Sequence, residues 1–223
     1  MALDPKHVEE SFHPIEIGVL HRSSILIKEK KMSTKAYIPP PRELEFYPEA
    51  PTLSGEVPMV LEIGPGKGEF LLHLAEQEPG TTFIAVEIRR GRFAKIAKHA
   101  TARGLKNIFL IRGDARECLV RLFQPELFER IYILFPDPWP KRRHGKHRLL
   151  KPELLRHLRQ FLKSGGAVYN ATDAGFYSEE IVSAFEEVGG FEKHAIAALY
   201  PTYFESKWKK MGREIDYWKF VKQ

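Results

Sequence analysis

Apolar and polar positions alternate along most of this chain in two distinct rhythms. From about residue 58 onward, short apolar runs rich in strand formers alternate with segments whose apolar residues recur at helical spacing. PMVLEI (58–63), TTFIAVEI (81–88), NIFLIRGD (107–114), RIYILF (130–135) and AVYNATD (167–173) read as strands. GEFLLHLAEQEP places Phe70, Leu71, Leu74 and Ala75 on one helical face. RRGRFAKIAKHATARG (89–104) reads as a helix closed by Gly104. A short helix follows the third strand, KPELLRHLRQFLKSGG (151–166) reads as a helix ended by Gly165 and Gly166, and GFYSEEIVSAFEEVGG (175–190) as another. Two short strands are drawn near 193–200 and 214–221. Strands alternating with helices predict an α/β fold with a mostly parallel sheet covered on both faces, and the near-continuous apolar character of the strands agrees.

Residues 1–55 follow a different pattern, with a triple proline at Pro39, Pro40 and Pro41. They are expected to form a partly extended N-terminal arm, with the domain proper spanning 56–223. Composition adds exclusions. At 223 residues, 43% hydrophobic and 29% charged, the chain can bury a sizeable core. Its single cysteine, Cys118, excludes an internal disulfide and a cysteine zinc site, and no metal-ligating set is expected. Cys118 is expected to pack in the core. The opening MALDPKHVEESF lacks the layout of a secretory signal, and no apolar run has membrane-spanning length, so a cytoplasmic location is expected, with no membrane partner. The net charge of +6 suggests a polyanionic partner.

In an open α/β sheet, ligands bind beyond the carboxyl ends of the strands. The chemistry-bearing residues lie there. After the first strand comes GPGKG, whose Gly64, Gly66 and Gly68 permit a tight turn and close approach to a ligand. The spacing is not that of a dinucleotide loop, because Glu69 stands where the third glycine would be. Glu62 precedes the loop, which suits a ligand with positive charge and no pyrophosphate. Glu87, at the end of the second strand, can accept from both ribose hydroxyls, and Asp114, after the third, can receive an adenine amino group. S-adenosylmethionine meets all these requirements. The fourth strand ends in FPDPWPKRRHGKHR. Asp137 is held between Pro136 and Pro138, Trp139 offers a face for a base, and residues 137–163 carry nine Lys or Arg against two acids. An acid, an aromatic and a basic rim describe a pocket for a nucleobase on a phosphate backbone. A methyltransferase of exocyclic amines, a nicotinamide-dependent oxidoreductase and an RNA-binding protein without catalysis are alternative readings. The glycine spacing and Glu62 weigh against the second, and the cofactor acids against the third.

EIGPGKG, FPDPWPKRRHGKHRLL, ATD and PTYFESK resemble the bacterial tRNA (guanine-N7-)-methyltransferase family, in order, from about Val60 to the C-terminus. The resemblance implies a Rossmann-like S-adenosylmethionine-dependent methyltransferase fold with a seven-stranded sheet, and methylation of guanine N7 at position 46 in the tRNA variable loop. It implies a donor site of Glu62, Gly64, Gly66, Gly68, Glu87, Asp114 and Asp137, with Asp137 also catalytic. Lys141, Asp173, Thr202, Tyr203, Phe204 and Glu205 would meet the substrate, and Arg143, His144, Lys146, His147 and Arg148 would touch RNA. His147 stands where the family pattern leads one to expect Arg or Lys. The oligomeric state, monomer or homodimer, is left open.

Overall fold

The computed structural model describes residues 44–47 and 57–223. Among these, eight strands form one sheet: β1 (Glu45–Tyr47), β2 (Met59–Ile63), β3 (Thr82–Glu87), β4 (Ile108–Arg112), β5 (Phe128–Leu134), β6 (Leu162–Thr172), β7 (Phe191–Ala195) and β8 (Asp216–Lys222). Their spatial order is β1-β4-β3-β2-β5-β6-β8-β7. The five strands from β4 to β6 run parallel, while β1, β7 and β8 pair antiparallel. The order reverses at β2, so the strand ends flanking β2 form the crevice that an open α/β sheet offers to a ligand.

The helices are α1 (Glu69–Gln77), α2 (Arg90–Ala102), α3 (Ala115–Leu122), α4 (Pro152–Phe161), α5 (Gly175–Val188) and α6 (Tyr203–Lys210). Strand residues alternate between two cores, as the period of two requires. Leu61, Ile84, Val86, Phe109, Ile111, Ile131 and Ile133 pack with α3, α4 and α5. Val60, Phe83, Ala85, Ile108, Leu110 and Tyr132 pack with α1 and α2 on the opposite face. Cys118 is fully buried in the first core, which holds its thiol pKa up at about 12.

Three features depart from the sequence expectation. The expected seven-stranded sheet gains an eighth strand, β1, from within residues 1–55. Phe46 stacks on Phe109, and Arg112 donates to Glu45 Oε1 at 2.7 Å, so this piece covers the β4 edge. The other residues of the expected arm lie outside the described ones. Helix α4 ends at Phe161 rather than at Gly165–Gly166, because those glycines serve a strand irregularity. Phe128 pairs with Leu162 but Arg130 pairs with Ala167, so β6 bulges between them. Gly165 has φ +72°, and a Cβ on Gly166 would lie 2.9 Å from Lys163 O and 3.0 Å from Glu129 O. Finally, α6 forms where no helix was expected. Thr202-x-x-Glu205 is a capping-box pattern, and Thr202 Oγ1 accepts from Glu205 N at 3.2 Å.

Candidate functional site

The strand order lines up, along one edge, the carboxylates that end the parallel strands: Asp114 after β4, Glu87 on β3, Glu62 on β2, Asp137 after β5 and Asp173 after β6. The glycine turn rises between β2 and α1. Gly64 N donates to Val86 O at 2.9 Å and Gly68 N to Pro65 O at 2.8 Å. Gly68, at φ +80°, is the N-cap of α1, and a Cβ there would come within 2.7 Å of Ile96 Cγ1. The close passage of α1 over α2 therefore depends on that glycine. Gly68→Ala is expected to destabilise the fold by about 1–3 kcal/mol through overpacking and left-handed strain, read as a lowered unfolding midpoint in denaturant.

Glu62 and Glu87 are 4% and 2% exposed. Burial, with Glu87 adding repulsion, raises the Glu62 pKa to about 8. Burial also raises that of Glu87, partly offset by the Arg89 amide, which donates to its Oε1 at 2.7 Å, and by Arg92. Among the described residues, Glu62 Oε2 and Glu87 Oε2 are buried without a hydrogen-bond partner, although Glu87 Oε2 lies 4.0 Å from Arg92 Nη1. Two adjacent buried acids with unspent acceptor capacity are costly in a ligand-free fold. They fit S-adenosylmethionine, which brings hydroxyl donors and positive charge and no phosphate. Asp114 has a structural duty as well. It caps α3, its Oδ1 accepting from Arg116 N at 2.9 Å and its Oδ2 from Arg116 Nη2 at 3.0 Å.

Asp137 is exposed at the tip of a loop between two non-glycine residues with left-handed backbone, Phe135 (φ 52°) and Trp139 (φ 45°). Such conformations cost of order 1–3 kcal/mol each and persist only where the surroundings enforce them. Lys141 and the 3-10 helix Arg142–His147 follow. Lys141, Arg143, Lys146 and His147 are exposed, while His144 is half-buried. The Trp139 ring centroid lies 5.8 Å from that of His144 and 5.4 Å from that of His147, so the aromatic and the basic helix form one surface. Arg148 differs from its neighbours. It turns inward, donating to the Pro138 and Trp139 carbonyls and pairing with Glu180 on α5.

Of the expected substrate residues, Asp173, Thr202, Tyr203, Phe204 and Glu205 gather around α6, while Lys141 stands at the start of the basic 3-10 helix. Asp173 pairs with Arg213, whose guanidinium also lies 4.2 Å from the Trp208 ring centroid. Glu205 is 3% exposed and pairs with Lys209. Tyr203 N donates to Glu69 Oε2 at 2.7 Å, and Lys67 Nζ sits 3.1 Å from the centroid of the Tyr203 ring. A Cβ on Gly66 would lie 3.4 Å from Phe204 Cε2. Helix α6 thus docks onto the glycine turn and joins the two halves of the expected site. Sequence reasoning named the run 202–205 but missed Lys67, Glu69, Lys209 and Arg213. The Glu205–Lys209 spacing of four was a readable signal, whereas the Asp173–Arg213 pair, spanning 40 residues, was not.

The Methyltransf_4 family model, a methyltransferase family, matches residues 56–217. The chain is 37% identical over 161 residues to the tRNA (guanine-N(7)-)-methyltransferase of Thermotoga maritima, covering 70% of this chain and 51% of that one. With the tRNA (guanine-N(7)-)-methyltransferase of Nitrosomonas europaea the identity is 35% over 164 residues, covering 71% and 73% respectively. This chain thus spans about half the length of the Thermotoga maritima relative. In fold it is similar to the crystal structure of the 16S rRNA methyltransferase KamB, with TM-score 0.54, 19% identity, and coverage of 74% of this chain and 86% of that one.

Proposed function

The chain belongs to the tRNA (guanine-N7-)-methyltransferase family, and on that premise we propose that it transfers a methyl group from S-adenosylmethionine to N7 of guanine 46 in the tRNA variable loop. The observation that carries this reading is the pair of buried, part-unpartnered acids, Glu62 and Glu87, beside a glycine turn at the crevice.

S-adenosylmethionine, when bound, supplies an electrophilic methyl group on a sulfonium. Gly64, Gly66 and Gly68 admit the donor to the backbone, and Glu62 meets its positive charge. Glu87 accepts from the ribose, and Asp114 accepts from the adenine with the capacity that Arg116 leaves. Guanine N7 carries a lone pair and no proton, so the protein has no base to supply. Its contribution is positioning and charge. Asp137 orients the guanine and offsets the positive charge that grows on it. Lys141, Thr202, Tyr203 and Phe204 flank the base. Asp173 and Glu205 select guanine through N1–H and the amino group, for which they exchange Arg213 and Lys209 for the base. Arg143, His144, Lys146 and His147 hold the phosphate backbone.

Arg143→Ala and Lys146→Ala are each expected to flatten the salt dependence of tRNA binding, reducing the log–log slope by about 1 with little change in kcat. Filter binding across a salt series reads this. The site assignment is tested by offering an unmodified tRNA transcript and the same transcript with guanine 46 changed to adenine. Methyl incorporation is expected only in the first. Equal incorporation into both would move the target elsewhere.

A further inference from the structure

We propose that Arg148 is a positioning residue for methyl transfer, fixing from beneath the loop that carries Asp137. The inference rests on the methyl-transfer reading above. Arg148 Nε donates to Pro138 O at 2.8 Å and Nη2 to Trp139 O at 3.0 Å, while Nη1 meets the Glu180 carboxylate. Its guanidinium lies 5.1 Å from the Phe176 ring centroid and 5.8 Å from that of Tyr177, and its side chain is only 11% exposed. All three guanidinium nitrogens therefore have partners within the protein, and helix α5 supplies the bracing.

The two carbonyls matter because of where they lie in the chain. Pro138 O belongs to the peptide plane that enters Trp139, and Trp139 O to the plane that leaves it. One rigid planar fork holding both planes fixes φ and ψ of the residue between them. That residue has φ 45°, a conformation an aromatic side chain adopts only under constraint. At the other end of the loop, Phe135 N donates to Ala171 O at 2.8 Å and Phe135 has φ 52°. Asp137 is thus suspended between a backbone anchor on β6 and the Arg148 clamp. Its exposed side chain receives its aim from these two supports. A lysine at 148 would keep the charge an RNA contact needs, but a single ammonium cannot reproduce the fork.

Arg148→Lys, Arg148→Ala and Glu180→Gln separate the two roles. Each is measured for tRNA turnover, for tRNA binding across a salt series, and for the Trp139 indole N–H resonance, assigned by its loss in Trp139→Phe. For Arg148→Lys, kcat is expected to fall roughly 100-fold with tRNA affinity and salt slope unchanged, and the indole resonance is expected to move. Glu180→Gln should shift both in the same direction by less. Wild-type turnover in Arg148→Lys overturns the proposal. So does an Arg148→Ala variant whose salt slope drops by about 1 with kcat intact, since that is the behaviour of a phosphate contact. If the Arg148 variants fail to fold, Glu180→Gln decides, and an unchanged kcat and resonance overturn the clamp. Absence of 7-methylguanosine with the wild-type protein would sink the functional reading by itself, and the indole resonance would still report whether Arg148 holds the loop.

Discussion

Asp137→Asn is expected to lower kcat by roughly 100-fold or more while the protein still folds and binds its donor. The substitution keeps the shape of the side chain and removes only its charge. The guanine becomes cationic as the new bond forms, so a carboxylate aimed at it is worth more in the transition state than in the bound substrate, and only such differences accelerate a reaction. The loop geometry supports this assignment. Two prolines and two left-handed residues, Phe135 and Trp139, hold an exposed acid that makes no ion pair among the described residues. Asp173 and Glu205, by contrast, are already engaged by Arg213 and Lys209 before any substrate arrives. Single-turnover kinetics with saturating tRNA and donor reads the effect. Unchanged turnover in Asp137→Asn would remove Asp137 from the chemistry.

Glu87→Gln is expected to weaken S-adenosylmethionine binding by about 10–100-fold, corresponding to the loss of a charged acceptor for hydroxyl donors. The same change should alter the stability of the ligand-free protein little, because the burial cost it relieves is offset by the lost ion pair with Arg92. Loss of binding without loss of stability distinguishes a ligand site from a structural acid. Glu62 adds a pH signature. Its pKa is raised from the ordinary 4.5 to about 8 by burial and by Glu87. Between those values the folded, ligand-free state holds a proton that the unfolded chain does not. Folding stability therefore falls as pH rises through that window, and the full penalty is present above pH 8. A cationic donor favours the ionised carboxylate, so its affinity should climb with pH toward 8 and binding should release a proton. Calorimetric titration in buffers of different ionisation enthalpy measures both. Glu62→Gln should abolish the proton release and flatten the pH dependence, and a wild-type affinity independent of pH would place the donor's positive end elsewhere.

The strands were legible because their physics is local. Apolar runs such as TFIAVE and RIYIL are buried on both faces, and their two-residue alternation divides them between the two cores. The carboxylates at their ends were legible for the same reason, since a parallel sheet carries every strand terminus to one edge. The misses were non-local. Gly165 and Gly166 look like a helix stop, and only the pairing of β5 with β6 turns them into a bulge. Arg148 sits in a run of cations whose composition reads as a solvated rim, and its inward turn depends on Glu180 and two carbonyls that the sequence does not place beside it. The strand Glu45–Tyr47 is too short to signal itself and exists because the β4 edge is available. Helix α6 is the exception, because its capping box and its Glu205–Lys209 spacing are both local signals.

Methyl transfer to guanine N7 of tRNA has a direct readout in the product nucleoside. It is tested most directly by incubating the protein with unmodified bulk tRNA and methyl-labelled S-adenosylmethionine, digesting the tRNA to nucleosides and locating the label. Label is expected in 7-methylguanosine and in no other nucleoside. Label confined to a different nucleoside, such as one methylated on an exocyclic amine, would contradict it.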